Sequence, residues 1–210
     1  MMAVFLGFDP GGRGGFGWAV LKGNSLPLDF LGCGVADHAR GAFSGAMEIC
    51  PGRADAAGVD APLFWRPSGD RNADQVVRRA IVDVGARSAT VGAVNSLRGA
   101  CLVQGMLVAL MAQERGISVT ESHPKALLWL LGKMARGAAA PELRNLGEFV
   151  VGEQMWGKCE HERDAVLGAL TAFGMHSRTT GWIDLFPLEV DCVSPLSAPG
   201  YWMPLGTQSN

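Results

Sequence analysis

The 210-residue chain carries 18 Lys and Arg against 20 Asp and Glu, a net charge of -2, with 48% hydrophobic residues, 18% charged residues and 29 glycines. That is enough chain for one domain with a real core, and the composition excludes a disordered or fibrous protein. A balance this close to neutral gives no global pull toward nucleic acid, so any such binding must be local.

The five cysteines, Cys33, Cys50, Cys101, Cys159 and Cys192, show no CxxC or other metal-like spacing. An odd number leaves at least one thiol unpaired, and a reducing cytoplasm fits that usage. The opening "MMAVFLGFDPGG" has no basic leader before an apolar run of a strand's length, unlike a signal peptide. The longest apolar segment, "LRGACLVQGMLVALMAQERG", contains Arg98, Gln104 and Gly105 and falls short of a spanning helix. The expectation is a soluble, cytoplasmic protein with no membrane partner.

In chain order, "AVFLGFD" is a β-branched and aromatic run ending at Asp9, followed by "PGGRGGFG" and then "WAVLK". Together they predict strand, tight connection, strand. "PLDFLGCGVAD" is a third strand and "ARGAFSGAMEIC" a helix. "AAGVDAPL" is a short buried strand that again reaches an aspartate, Asp60. A Pro- and Gly-bearing loop, "FWRPSGDRN", leads into the helix "ADQVVRRAIVDVGA". Residues 98–116 form a long, largely buried helix that Gly116 ends, and "ISVTES" is a strand finishing at Glu121. "HPKALLWLLGK" is a helix opened by Pro124. Residues 135–158 are helical in patches and suggest a small helical insertion.

"HERDAVLGAL" then starts a helix whose core stripe is Val166, Leu167, Leu170 and Phe173, with Glu160, His161, Asp164 and Gly168 on one face. The domain is expected over 1–180. Residues 181–210 form a proline-rich extension, packed on the body or on a partner, and the apolar "PLSAPGYWMPLG" is a candidate homodimer surface. The order predicts an α/β fold with a mixed sheet, antiparallel at the start and parallel later.

Ligand sites in open α/β sheets lie outside the carboxyl ends of the strands. Three strands here end in acid, at Asp9, Asp60 and Glu121. If those strands are neighbours, the carboxylates converge at one sheet edge and Asp164 can join them. Clustered carboxylates repel unless a divalent cation sits among them, and hard oxygen donors suit Mg²⁺ or Mn²⁺. Two such ions about 4 Å apart can activate water and stabilise a leaving oxygen in phosphodiester cleavage.

Each acid also has a plainer reading. Asp9 and Asp60 can accept backbone N–H bonds in the following turns, Glu121 can pair with an Arg or Lys, and Asp164 suits the first turn of a helix. Arg66, Arg71, Arg78 and Arg79 are candidate phosphate contacts, because guanidinium binds phosphate through two parallel bonds. A salt-bridged helix face is the alternative for each.

"FLGFDPGGRGGFGWAVL" resembles the opening hairpin of ribonuclease H-like nucleases, and "HERDAVLGAL" resembles their final helix. In some Holliday-junction resolvases of that superfamily a similar His-x-x-Asp-Ala element supplies metal ligands, which maps onto His161 and Asp164. More closely, "GVDAPL", "RNADQVVRR", "ESHPKALL" and "HERDAVLGAL" in this order resemble the predicted ribonuclease H-fold nucleases known as domain-of-unknown-function family 429. That similarity spans roughly residues 3–176. It implies a ribonuclease H-like fold with helices on both faces of the sheet, and Asp9, Asp60, Glu121 and Asp164 as the catalytic, metal-binding set.

Two departures stand out: His123 lies where an aromatic is expected, and "GGRGG" replaces an ordinary hairpin. The function expected is a metal-dependent nuclease acting on nucleic acid. The alternatives are a non-catalytic module of the same fold and, more remotely, a phosphotransferase of the actin and sugar-kinase type. That last fold needs two domains and a second phosphate loop, for which the chain is short.

Overall fold

The opening run forms strands β1 (Val4–Asp9), β2 (Phe16–Lys22) and β3 (Leu28–Ala36), an antiparallel meander with Asp9 opposite Gly17. Helix α1 (Ala39–Ile49), strand β4 (Ala56–Val59), and helices α2 (Asn72–Asp83) and α3 (Gly99–Glu114) follow. Strand β5 (Ser118–Glu121), helix α4 (Pro124–Arg136), strand β6 (Val150–Val151) and helix α5 (Glu160–Ser177) come next. Strands β7 (Ile183–Asp184) and β8 (Gly200–Met203) complete the chain. The computed structural model describes residues 2–66, 70–92, 99–136, 147–152 and 159–206.

Among these residues the strands make one sheet in the order β6-β3-β2-β1-β4-β5-β8-β7. Strands β1, β4, β5 and β8 run parallel to one another. Alternation along β1 builds the two faces. Leu6 and Phe8 pack with Phe43 and Val108, while Phe5 packs with Leu127, Leu167 and Phe173. Helices therefore cover both faces of a mixed sheet whose opening strands are antiparallel, which is the ribonuclease H-like arrangement.

Most of the predicted insertion, residues 135–158, lies outside the described residues; its described part includes β6, a short parallel partner of β3. The C-terminal segment contributes β8, which pairs with β5 through Thr120–Gly200 and Glu121–Tyr201. No helix among the described residues is long and apolar enough to cross a membrane. None of the five cysteines is in a disulfide.

Helix α5 lies almost on the sheet backbone, and glycines make this possible. A Cβ on Gly7 would meet the Ala165 carbonyl at 1.7 Å, one on Gly58 the Gly168 carbonyl at 2.0 Å, and one on Gly17 the His161 carbonyl at 2.0 Å. Gly17, Gly7 and Gly58 belong to three adjacent strands, β2, β1 and β4. Any side chain at these positions would lift the helix, and with it His161 and Asp164, away from Asp9.

Candidate functional site

Strand parity decides where each acid points. Phe8 pairs with Val59, so the next residues, Asp9 and Asp60, share a row and a face with Gly7 and Gly58, the face covered by α5. The first turns of α5 bring His161 and Asp164 to the same place. Asp9, Asp60, His161 and Asp164 line one cavity of about 410 Å³ with Pro10, Pro62, His123 and Lys125. Of the four acids expected to converge at the carboxyl ends of the parallel strands, Asp9, Asp60 and Asp164 line this cavity.

Glu121 departs from it. It pairs in register with Val59 rather than Asp60, and so points to the opposite face. There it is fully buried, with both oxygens taken. Oε2 accepts from the Leu63 backbone N–H at 2.9 Å and Arg71 Nη1 at 2.8 Å; Oε1 accepts from Arg71 Nη2 at 2.6 Å and lies 3.2 Å from His123 Nε2. A carboxylate offers about four acceptor directions, and these contacts fill them. The pairing alternative for Glu121 is the one observed.

Arg71, also buried, is equally committed. Its remaining N–H groups go to Asp74 Oδ2 at 2.9 Å, Asp74 Oδ1 at 2.8 Å and the Phe64 carbonyl at 3.1 Å. A guanidinium has five N–H donors, and with the two bonds to Glu121 none is left for a phosphate. Tyr201 of β8 closes the cluster with its hydroxyl 3.2 Å from Asp74 Oδ1. Only Asp74, Glu121 and His123, among the described residues, form a set of three metal-ligating side chains within 4.8 Å of one another. That set already surrounds a cation, the Arg71 guanidinium.

The other arginines also serve the fold. Arg66 donates to the Asp70 carbonyl and to Asn72, and faces Glu189 at 3.8 Å. Arg78 pairs with Asp70 and donates to the carbonyls of Val91 and Gly92. Arg79 is exposed on α2 and does not line the cavity.

The two acidic groups differ in electrostatics as they do in surroundings. Burial pushes Asp60 up to about 8; His123 lowers it, while Asp9, Asp164 and Glu121 push it further. Burial likewise brings Asp9 to about 6, with the bond to His161 opposing and the Asp164 charge adding. Asp164 is raised by burial against the pull of Arg163, whose Nε and Nη2 both donate to its Oδ1, at 2.8 and 2.6 Å. Burial would raise Glu121 too, but the Arg71 charge and the His123 and Arg71 hydrogen bonds hold it near 2. Burial works against a charge on His123, yet its bond to Glu121 and the nearby carboxylates raise it.

Asp9, Asp60 and Asp164 suit a divalent cation by their chemistry. They are hard oxygen donors, largely buried at one cavity, and no described residue donates a hydrogen bond to the Asp60 carboxylate. Their mutual repulsion is the charge a cation removes. His161 Nδ1 lies 2.6 Å from Asp9 Oδ2, so in this arrangement it holds a carboxylate. His123 was a sequence departure without an assigned role, and its position between Glu121 and Asp60 was not readable from spacing.

No family model matches the chain and no curated protein is similar to it, so the resemblance to family 429 rests on motifs alone. Among solved structures, the chain is similar to Thermus thermophilus RuvC at 15% identity. The match covers 84% of this chain and 97% of that one, with a TM-score of 0.40. Strand order and register, rather than that loose superposition, define the fold.

Proposed function

We propose that the protein is a divalent-metal-dependent phosphodiesterase of nuclease type, with Asp9, Asp60 and Asp164 as ligands of Mg²⁺ or Mn²⁺ and nucleic acid as substrate. One observation carries this reading: three aspartates from β1, the end of β4 and α5 line a single cavity, two of them held at about 6 and 8. Asp9 and Asp164 each have a single cationic partner, His161 and Arg163, and no described residue donates a hydrogen bond to the Asp60 carboxylate between them, at the sheet edge where α/β proteins place their chemistry.

Asp9, Asp60 and Asp164 would hold the divalent ion, which would supply Lewis-acid polarisation of a phosphoryl oxygen and acidify a water. The chain's own residues prepare the site. His161 fixes the Asp9 carboxylate, Arg163 holds one oxygen of Asp164, and Pro10 and Pro62 line the wall. Lys125, which lines the cavity and pairs with Glu160 at 3.0 Å, is an exposed cation that an incoming phosphate can meet. Five cysteines without a disulfide fit the reducing cytoplasm.

A non-catalytic module of the same fold is the second reading, favoured by the capture of Glu121 by Arg71. The two separate in one experiment: cleavage of labelled single-stranded, duplex and branched DNA and RNA with Mn²⁺ or Mg²⁺, beside Asp60→Asn. Ion-dependent cleavage lost in the variant supports the nuclease. Ion-dependent thermal stabilisation without cleavage of any substrate supports the module.

A further inference from the structure

Resting on the nucleic-acid part of the reading above, we propose that Arg13, in the glycine-rich connection between β1 and β2, grips a backbone phosphate of the substrate. That phosphate flanks the one entering the cavity, and the contact is independent of base sequence.

The turn that carries Arg13 is tightly built and stands beside the site. A Cβ on Gly11 would meet the Gly15 carbonyl at 1.9 Å, so only glycine lets the neck of the hairpin close. Beyond the neck, the Gly15 N–H donates to the Gly12 carbonyl at 2.9 Å, with Gly14 at a φ of 65° that favours glycine. The Gly14 N–H donates to Asp37 Oδ1 at 2.7 Å, which ties the tip to the chain just past β3. Two neighbours fix the turn against the cavity. Pro10, before it, lines the wall, and Gly15, after it, lies so near the His161 ring that a Cβ would come within 3.1 Å of Nε2.

Arg13 is exposed in this turn, and no described residue offers it an ion pair or a hydrogen bond. Arg66, Arg71 and Arg78 differ, being engaged with carboxylates and carbonyls of the fold. The turn also leaves room for a ligand: a Cβ at Gly12 or Gly14 would meet nothing within 4 Å, so a strand can approach Arg13 past either neighbour. A guanidinium without partners gives up no internal bond on binding, and its parallel N–H groups match two phosphate oxygens. In a chain of net charge -2, attraction to a polyanion has to come from local cations of this kind.

Fluorescence anisotropy of labelled single-stranded DNA and RNA, titrated with the full chain at increasing salt in chelator and again with Mg²⁺, tests this. The expected result is about tenfold weaker binding by Arg13→Ala, equal across base sequences, with the salt slope reduced by about 0.7. Arg13→Lys keeps the charge and should keep the slope, recovering part of the affinity. Lys22→Ala removes a like charge at the far end of the same hairpin, opposite Val4, and should bind as the wild type does. Thermal unfolding verifies that each variant is folded. Wild-type affinity and slope in Arg13→Ala would overturn the proposal and leave the nuclease reading standing. An equal loss in Lys22→Ala would also overturn it, by reducing the effect to net charge. Binding of neither nucleic acid by the wild type in either condition would remove this proposal together with the reading beneath it.

Discussion

Two groups of acids sit within one residue of each other along the same edge of the sheet, and they are in opposite states. On the α5 face, Asp9 and Asp60 are held above the usual carboxylate range, at about 6 and 8, by burial and by neighbouring carboxylates, Asp164 among them in both cases. On the α2 face, Glu121 is more deeply buried yet sits near 2, because Arg71 grips it. Burial alone therefore does not say whether an acid is poised for a ligand. What separates the groups is a hydrogen-bonded cation: Arg71 grips Glu121, whereas His123 lowers Asp60 only through its charge and no described residue donates a hydrogen bond to that carboxylate.

Removing that counter-charge should give the largest effect. Arg71→Met leaves Asp74 and Glu121 buried without the guanidinium that bridges them, which costs about 3–5 kcal/mol. For a chain of this size that is a fall of roughly 6–20 °C in the unfolding midpoint. A midpoint unchanged from wild type would mean that the neutralised side does not depend on its arginine.

Gly58→Ala probes how the other group is assembled. Its Cβ would strike the Gly168 carbonyl, and overpacking of this kind costs about 1–3 kcal/mol. Lifting α5 should also weaken Mn²⁺ binding, because Asp164 rides on that helix. Mn²⁺ affinity at the wild-type value in a destabilised Gly58→Ala protein would separate helix docking from the site.

Asp60→Asn reads the repulsion directly through pH. Asp60 is raised in the folded state, so the folded protein holds its proton from about 4 to 8 while the unfolded chain has lost it. Stability from this group is thus present at low pH and lost as pH rises through that window. The cation-free variant should melt with the wild type near pH 4 and above it near pH 8. Mn²⁺ should restore the wild type alone. Parallel melting curves at both pH values would show that Asp60 carries no such strain.

The smallest effect is expected at Arg79, exposed and outside the cavity. Arg79→Ala should change stability by less than about 0.5 kcal/mol. If α2 reaches a phosphate, the salt dependence of nucleic-acid binding should fall by about one ion's slope; an unchanged slope removes Arg79 from the interface.

Much of the site was legible in the sequence, because apolar runs stopping at an acid before turn residues mark strand ends whatever the fold. Asp9, Asp60 and the acid-to-apolar boundary at Asp164 were of this kind. The role of Glu121 was not legible, since strand length alone does not reveal register, and one residue of register moves a side chain through the sheet. Arg71 was equally opaque. Its spacing to Asp74 suggests a surface helix pair, whereas its burial depends on Glu121, Phe64 and Tyr201, which lie far apart in the chain. The proline-bearing tail concealed β8, because its partner strand lies some eighty residues earlier.

The sequence by itself determined the layered α/β class, the hairpin opening and the strand-end acids, all of which follow from local periodicity and turn chemistry. Only the tertiary structure decided which acids share a face, which of them has a cation of its own, and how closely α5 approaches. Those outcomes depend on register and on glycine contacts between distant elements, which no local pattern encodes.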